Sequence, residues 1–323
     1  MPRTGLPESE SPESVRMTLH ARVGEISPAH TLSLGAVSKN ADALPELWTC
    51  TFTSTAILDG RFAFAREAES QASANTPRHR RASGGHAVRV GPGVLYAAIA
   101  LPKVNSLVAD ATSHNLLNRH VRPLLRALSF GKKPASYIGK DRLTIGSTAV
   151  AYCGFAFDAS SGVAIVEAFI GVTESFAASD GDDAKVKDGS LASLSMTTLT
   201  IEELAEKVRR HAAREFGREL AITHASALSG AAPDAPFSGG LSPFATSPAA
   251  IGTIGFSRGD EGLFFGGDCM MAEEGETLIP RLLTGDPEVA FEETEALLAE
   301  AAVFGVSAKE LVTLVEKAKS ASR

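Results

Sequence analysis

The sequence predicts an α+β protein made of two units, because strand-like segments followed by helical segments occur twice along the chain. The first unit opens with apolar residues that alternate from Arg16 to Glu25, the pattern of a half-buried strand. Residues 226–248 are rich in Pro, Gly, Ser and Ala, a composition that predicts a flexible linker. Strand-like segments return between 250 and 265, and helical patterns follow from Thr277.

Strands and helices of the first unit are predicted by local composition and spacing. Segments rich in β-branched and aromatic residues predict strands at 47–58, 87–101, 142–157 and 163–173, the last two forming a hairpin. Ser27 is a candidate cap for a short helix, and apolar spacing predicts an amphipathic helix over 118–128. Two pairs have the spacing of capping boxes and predict helix starts: Thr200 with Glu203, and Ser307 with Glu310.

The domain organisation follows from these patterns. Residues 1–14 are rich in Pro, Glu and Ser and predict a disordered tail. The main domain should span residues 15–225 and a smaller C-terminal domain should span residues 249–323, joined by the 226–248 linker.

Composition excludes several functional classes. The chain has 323 residues, of which 31 are basic and 38 acidic, so its formal net charge is −7. This mild acidity argues against nucleic acid or a membrane surface as partner. The three cysteines are far apart and predict neither disulfides nor a zinc site. We therefore expect a cytoplasmic protein with no metal held by its own side chains.

The segment from Arg80 to Val88 (RRASGGHAV) has the composition of an anion-binding loop. Arginines are planar clamps for phosphate or carboxylate, and a Ser-Gly-Gly sequence lets backbone N–H groups approach an anion closely. The alternative is a solvated basic loop on the surface.

The same segment resembles the RRxSGGG(A)V segment of the lipoate–protein ligases, which grips the carboxylate and the adenylate phosphate of lipoyl-AMP. Further segments resemble the family's motifs in the same order along the chain: Pro45–Trp48, Ile57–Arg61, Val90–Tyr96, Tyr137–Arg142 and Leu191–Phe216. Gly266–Asp268 and the helix that follows are similar to the accessory domain that many of these ligases carry.

This resemblance implies a mixed sheet with helices, as in biotin and lipoate ligases, and a small α+β accessory domain. It implies ATP-dependent attachment of lipoate or octanoate to a carrier-domain lysine through an acyl adenylate, with ATP, Mg and lipoate as cofactors. The partner would be the lipoyl carrier domain of a 2-oxoacid dehydrogenase or a glycine-cleavage protein. The ligand would be bound by the residues of the loop: Arg80, Arg81, Ser83, Gly84, Gly85 and His86.

One departure from the family affects the chemistry. A family lysine, three residues before a glycine, neutralises the reacting carboxylate and phosphate; here that position is Leu143. Lys140 and Arg142 are the candidate catalytic replacements, but in a regular strand both would point to the opposite face from Leu143. A preorganised cation at developing charge contributes roughly 10² to 10³ in rate, so its loss should cripple an otherwise unchanged site.

Two hypotheses therefore remain. The chain is either a lipoate–protein ligase in which Lys140 or Arg142 replaces the lysine, or a catalytically degenerate scaffold or binding protein of the same fold. Cys153 could be the nucleophile of a related acyl transfer, although a strand cysteine is more simply a core residue. Glu167, on an apolar strand, is expected to pair with Arg80 or Arg81.

Overall fold

The computed structural model describes residues 18–38, 44–64, 76–131, 133–137, 141–177, 187–194, 199–228, 241–284 and 291–321. It has an α+β architecture in which a large mixed sheet carries helices, which confirms the predicted fold class. The predicted disordered tail (1–14) and the candidate Lys140 lie outside the described residues.

The strands of the described residues are, in chain order, β1 (Thr18–Ile26), β2 (Glu46–Phe52), β3 (Ala56–Asp59), β4 (Arg78–Arg80), β5 (Val88–Val90), β6 (Val94–Leu101), β7 (Ala135–Tyr137), β8 (Arg142–Ile145), β9 (Thr148–Phe157), β10 (Ala164–Gly171), β11 (Lys187–Asp188), β12 (Glu219–Leu228), β13 (Pro243–Ala249), β14 (Gly252–Gly259) and β15 (Gly262–Gly267). The α-helices are α1 (Leu34–Ser38), α2 (Leu116–His120), α3 (Arg122–Leu128), α4 (Ile201–Phe216), α5 (Gly275–Leu278), α6 (Arg281–Thr284), α7 (Phe291–Glu300) and α8 (Ala308–Ala321). Short 3-10 helices cover Pro28–His30, Ser113–Asn115 and Ala192–Leu194.

The large sheet has the strand order β12-β1-β2-β6-β10-β9-β8-β7, and β11 pairs with β9. Strand β1 is parallel to both of its neighbours, whereas the pairs from β2 to β7 are antiparallel. The predicted hairpin is confirmed as β9 and β10. Two small sheets have the orders β4-β3-β5 and β13-β14-β15.

The two faces of the large sheet have different neighbours. Helices α2, α3 and α4 cover one face, where His120, Leu124 and Val208 line a small cavity together with Ile99 and Val166 of the sheet. Side chains alternate between faces along a strand, so the neighbouring residues of β6 and β10 point to the opposite face. The loop at residues 80–86 lies on that opposite face, the "loop face".

Three predicted elements are each split in the structure, and one of them is the 142–157 segment, which forms β8 and β9 around a turn at 146–147. The 47–58 segment forms β2 in the large sheet and β3 in a small sheet, separated by a bend at 53–55. The 118–128 helix is interrupted between α2 and α3, where Pro123 occupies the first turn of α3. Proline has no N–H to donate to the preceding turn, and its ring clashes with the carbonyl four residues earlier, so a continuous helix is disfavoured.

The helix caps agree closely with the sequence, whereas several strands were missed: β4, β7, β11, β12 and β13. Both capping boxes are present, Thr200 with Glu203 and Ser307 with Glu310. Ser27 caps only a 3-10 turn. Strand β12 was not predicted because it lies at the end of the sheet, where many of its side chains are exposed and no apolar alternation is required.

The C-terminal unit has its own core but also packs on the main unit. Strands β12 and β13 enter the predicted linker from both sides, reaching Leu228 and starting at Pro243; residues 229–240 lie outside the described part. Met270 belongs to the core of the main unit, and Phe157 forms a β-bridge with Ala272. The division into two domains stays a prediction.

Candidate functional site

Arg81 is a fully buried residue, with 0 % of its surface exposed. Its guanidinium donates to Ser83 Oγ at 2.9 Å and to three backbone carbonyls, those of Leu58 (2.7 Å), Gly84 (2.8 Å) and His86 (2.6 Å). It also lies 4.6 Å from the centroid of the Tyr152 ring. Four of the five N–H groups of an arginine are thus used inside the protein.

A buried carboxylate faces the same loop. Glu167, on β10, has no exposed surface, and its Oε1 lies 3.7 Å from Arg81 Nε, which confirms the predicted pairing with one of the two arginines. The backbone N–H of Ser83 donates to Glu167 Oε1 at 3.2 Å, and the Tyr96 hydroxyl donates to Oε2 at 3.0 Å. Burial, followed by the nearby carboxylate, raises the pKa of Tyr96. An internal anion therefore already takes donors that the resemblance assigns to a ligand.

The glycines of the loop accommodate protein atoms. Gly85 donates its N–H to the Cys269 carbonyl of the C-terminal unit at 2.9 Å. A Cβ built on Gly84 would lie 2.1 Å from that same oxygen, and one built on Gly85 would lie 1.9 Å from Tyr152 Oη. Gly85 also has a φ of 90°, which disfavours other residues. Tyr152 completes the packing by donating to the Gly84 carbonyl at 2.6 Å.

Arg80 is also held by the backbone. Its Nη1 lies between 2.7 and 3.0 Å from the carbonyl oxygens of Gly60, Arg61 and Ala63. Partial burial lowers the pKa of Arg80, against the opposing effect of Asp59 and Glu276. The structure thus gives both arginines internal partners, in place of the direct ligand contacts that the loop composition predicts.

His86 lies at the edge of the loop, and 30 % of its side chain is exposed to solvent. Its Nδ1 lies 3.5 Å from an oxygen of Asp268, at the start of the segment that also supplies Cys269. The contact joins the loop to the C-terminal unit, as does the Arg61–Glu273 ion pair at 2.7 Å.

The two candidate positions on β8 face opposite ways. Arg142 is directly paired with Tyr152, whose hydroxyl contacts the loop, and Leu143 is paired with Ala151. Directly paired residues share a face, so Arg142 lies on the loop face and Leu143 on the helix-covered face, where it is fully buried. The expectation that Leu143 faces the site and Arg142 points away is therefore wrong. The register shift between β8 and β9 lies after Leu143, so Arg142 and Leu143 themselves alternate as in a regular strand.

Arg142 has an acidic partner that the sequence did not indicate. Its Nε lies 3.1 Å from Asp188 Oδ1, and its side chain is 22 % exposed. Burial raises the pKa of Asp188, while Arg142 acts in the opposite direction. His86 also acts electrostatically on Asp188, so Arg142, Asp188 and His86 are neighbours at the rim of the loop.

Cys153 is a core residue. It has no exposed surface, and burial raises the pKa of its thiol. A protonated, inaccessible thiol is a poor nucleophile, so the geometry favours the core interpretation. Other residues that complete the site are Tyr96, Tyr152, Asp188, Asp268 and Cys269. Tyr96 and Asp268 lie in segments that resemble family motifs, whereas no motif indicated Tyr152, Asp188 or Cys269, which only the folded chain brings to the loop.

Solved structures resemble this chain over much of its length. LipL1 of P. falciparum, in complex with lipoate, aligns with 94 % of this chain and 98 % of its own, at 12 % identity and a TM-score of 0.51. The chain has the fold of the lipoate–protein ligases. A putative lipoate protein ligase from T. acidophilum is 13 % identical with a TM-score of 0.47, covering 64 % of this chain and 89 % of that one. A biotin protein ligase from Aquifex aeolicus is 11 % identical with a TM-score of 0.36, covering 62 % and 69 %. No family model and no curated protein sequence matches.

Within this ligase fold, part of the donor set that the implied ligands would use is engaged inside the protein. An acyl adenylate and Mg-ATP would need donors on the loop, yet the Arg81 guanidinium and the N–H groups of Ser83 and Gly85 already have protein oxygens as partners. Among the described residues, no group of three or more His, Cys, Asp or Glu side chains is placed to hold a metal ion. In the same part of the chain, no helix is long and apolar enough to cross a membrane.

Proposed function

We propose that this chain is a catalytically degenerate member of the lipoate ligase fold, which binds a lipoyl carrier domain without modifying it. The observation that carries the proposal is the internal occupation of the loop by Glu167 and by the Cys269 carbonyl. Both oxygens accept hydrogen bonds from groups that would otherwise hold a ligand anion.

Displacing Glu167 would be costly. It is fully buried on a central strand, so a ligand carboxylate that took its donors would leave a second anion beside it in a poorly hydrated interior. Like charges repel far more strongly there than in water. A ligand anion could therefore take these donors only if Glu167 moved away from them.

The test is lipoate-dependent exchange of labelled pyrophosphate into ATP, with Mg present, by the purified chain. We expect no exchange above a protein-free control, while a known lipoate ligase in the same assay reports that the reagents work. Turnover of about 1 per second or more, an enzyme-like rate, would overturn the proposal. Titration with a lipoyl carrier domain, modified and unmodified, then tests whether such a domain is bound without being changed.

A second candidate function is lipoate or octanoate ligation, and the position of Arg142 favours it. Arg142 lies on the loop face beside the rim residues Asp188 and His86, where a cation could approach a ligand. In this case Arg142→Ala should abolish the exchange reaction, whereas Arg142→Lys should retain part of it. If the first proposal holds, the natural chain shows no exchange, and neither substitution at Arg142 has a measurable effect in this assay.

A further inference from the structure

Helices α3 and α4 carry a concentrated positive charge on the sheet face opposite the loop. Five cationic side chains make up this surface, the "basic face": Arg122, Arg126, Lys207, Arg210 and Arg214. The three on α4 are spaced by three and four residues, so they share one side of the helix. The two on α3 are one turn apart and lie next to them, since both contact Glu215 of α4.

Acidic residues only partly neutralise the basic face. Glu215 is shared by Arg122 at 3.7 Å and Arg126 at 2.9 Å. Glu206 lies 3.6 Å from Arg210 and is also shared, since Arg209 contacts it at 2.9 Å. Five cations and two carboxylates leave a net charge of +3, in a chain whose formal net charge is −7. The remaining carboxylates of α4 lie in its first turn, where one of them completes the capping box.

Four of the five cations are exposed and repel one another, whereas Lys207 is half-buried, with its ammonium 4.1 Å from the centroid of the Phe130 ring. The side chains of Arg122, Arg126 and Arg210 are 50 %, 60 % and 68 % exposed. His211 lies among them, and its pKa is lowered by partial burial and by four of the surrounding cations. Clustered like charges lower the stability of the folded chain, and a bound anion would relieve that repulsion.

The shape of the basic face indicates the class of anion. The charges lie on the outer side of two helices and extend over about 10 Å along α4, from residue 207 to 214. An extended surface of this kind fits several spaced carboxylates better than one phosphate. The large exposed apolar residues of the described part, Leu44 and Ile222, are on neither helix, so an apolar anchor for a membrane is missing there.

We propose that the basic face docks the acidic surface of a separate partner protein. Complementary charge over two helices would orient that partner and speed its association. The inference does not depend on whether the loop is catalytic, because the basic face and the loop lie on opposite sides of the large sheet.

The test measures binding of a fluorescein-labelled 16-residue peptide of alternating glutamate and alanine by anisotropy, at low and moderate salt. The variant R126E/R210E reverses two exposed charges of the basic face. Its matched control, K103E/K309E, makes the same change in net charge at two exposed lysines outside it. We expect R126E/R210E to weaken binding by about tenfold, and the control to stay within about twofold of the natural chain. Added salt should weaken the binding of the natural chain and the control.

Two results would overturn the proposal. One is equal binding of the peptide by R126E/R210E and by its control, which would show that the basic face is merely solvated. The other is tighter binding of a 16-base-pair DNA duplex, or of vesicles containing phosphatidylglycerol, than of the peptide. Circular dichroism of both variants shows whether α3 and α4 remain folded, and a single reversal, R210E, gives a second measurement if the double variant does not fold.

Discussion

Replacing Arg81 by methionine should destabilise the fold strongly, because its guanidinium is an internal structural group. The methionine side chain has a similar length but no donors. The change removes the cation beside the buried carboxylate of Glu167 and four hydrogen bonds within the loop. Breaking a buried ion pair by removing one partner costs about 3–5 kcal/mol. The total stability of a domain is about 5–15 kcal/mol, so the loss should be a large part of it.

The assay is urea unfolding followed by the fluorescence of Trp48, the one tryptophan in the sequence. The matched control is Arg89→Met, an exposed arginine on β5, close in sequence to the loop. Surface substitutions of this kind usually change the free energy of unfolding by less than about 0.5 kcal/mol. Equal stability of the two variants would refute the structural role of Arg81.

A double-mutant cycle with Glu167→Gln separates the ion pair from general damage. The glutamine removes the buried charge and keeps the volume of the side chain. Arg81→Met should therefore lower the free energy of unfolding by less in the Glu167→Gln variant than in the natural chain. A coupling free energy of about 1–3 kcal/mol is expected for residues in one network. Strict additivity would mean that the two side chains act independently, despite the 3.7 Å between their polar atoms.

Three further predictions concern the site and the core. Gly85→Ala should lower the free energy of unfolding by about 2–4 kcal/mol, since the φ of Gly85 is 90° and its Cβ would lie 1.9 Å from Tyr152 Oη. The control Gly131→Ala, also at positive φ but with no atom within 4 Å of the added Cβ, should lower it by about 1–2 kcal/mol. Equal losses in the two variants would argue against the Tyr152 contact. Burial lowers the pKa of His120, so the unfolded chain binds the proton more readily, and the contribution of His120 to stability is complete above about pH 6.5 and falls below it. His120→Leu should flatten that fall in urea titrations at pH 7, 6 and 5, and an unchanged pH dependence would contradict the prediction. The thiol of Cys153 should not react with iodoacetamide in the native chain at about pH 8 but should do so in urea, and native labelling located by mass spectrometry would contradict its burial.

The sequence predicted the fold well where local chemistry determines structure. Capping boxes depend on two residues three apart, and both were found as predicted. The β9–β10 hairpin depends on a local turn between two apolar runs, and it too is confirmed. Edge strand β12 has no such local signal, because it pairs with β1, about 200 residues earlier, and many of its side chains remain exposed.

The sequence indicated the loop at residues 80–86 as a candidate site, but it did not indicate which protein groups the loop residues contact. The loop composition indicated close approach to acceptor oxygens, but it could not show that these include the carboxylate of Glu167 and the backbone carbonyl of Cys269. The side-chain directions on β8 were predicted wrongly because alternation along a strand shows which residues share a face, but not which of the two faces turns toward the loop. That depends on how β8 pairs with β9, which periodicity in a single strand does not encode.

A glycine-rich loop beside two arginines need not hold a bound ligand, and the contacts of this loop show why. Gly84 and Gly85 lack side chains at points where Cys269 and Tyr152 approach, so packing alone requires glycine there. Arg81 donates to the carbonyls of Gly84 and His86 in the loop and to that of Leu58 in β3. Glu167 supplies the negative charge that a buried guanidinium requires. Arg81, Gly84 and Gly85 thus each have a structural reason to be present, and a ligand that used the N–H groups of Ser83 and Gly85 would have to displace Glu167 and the Cys269 carbonyl.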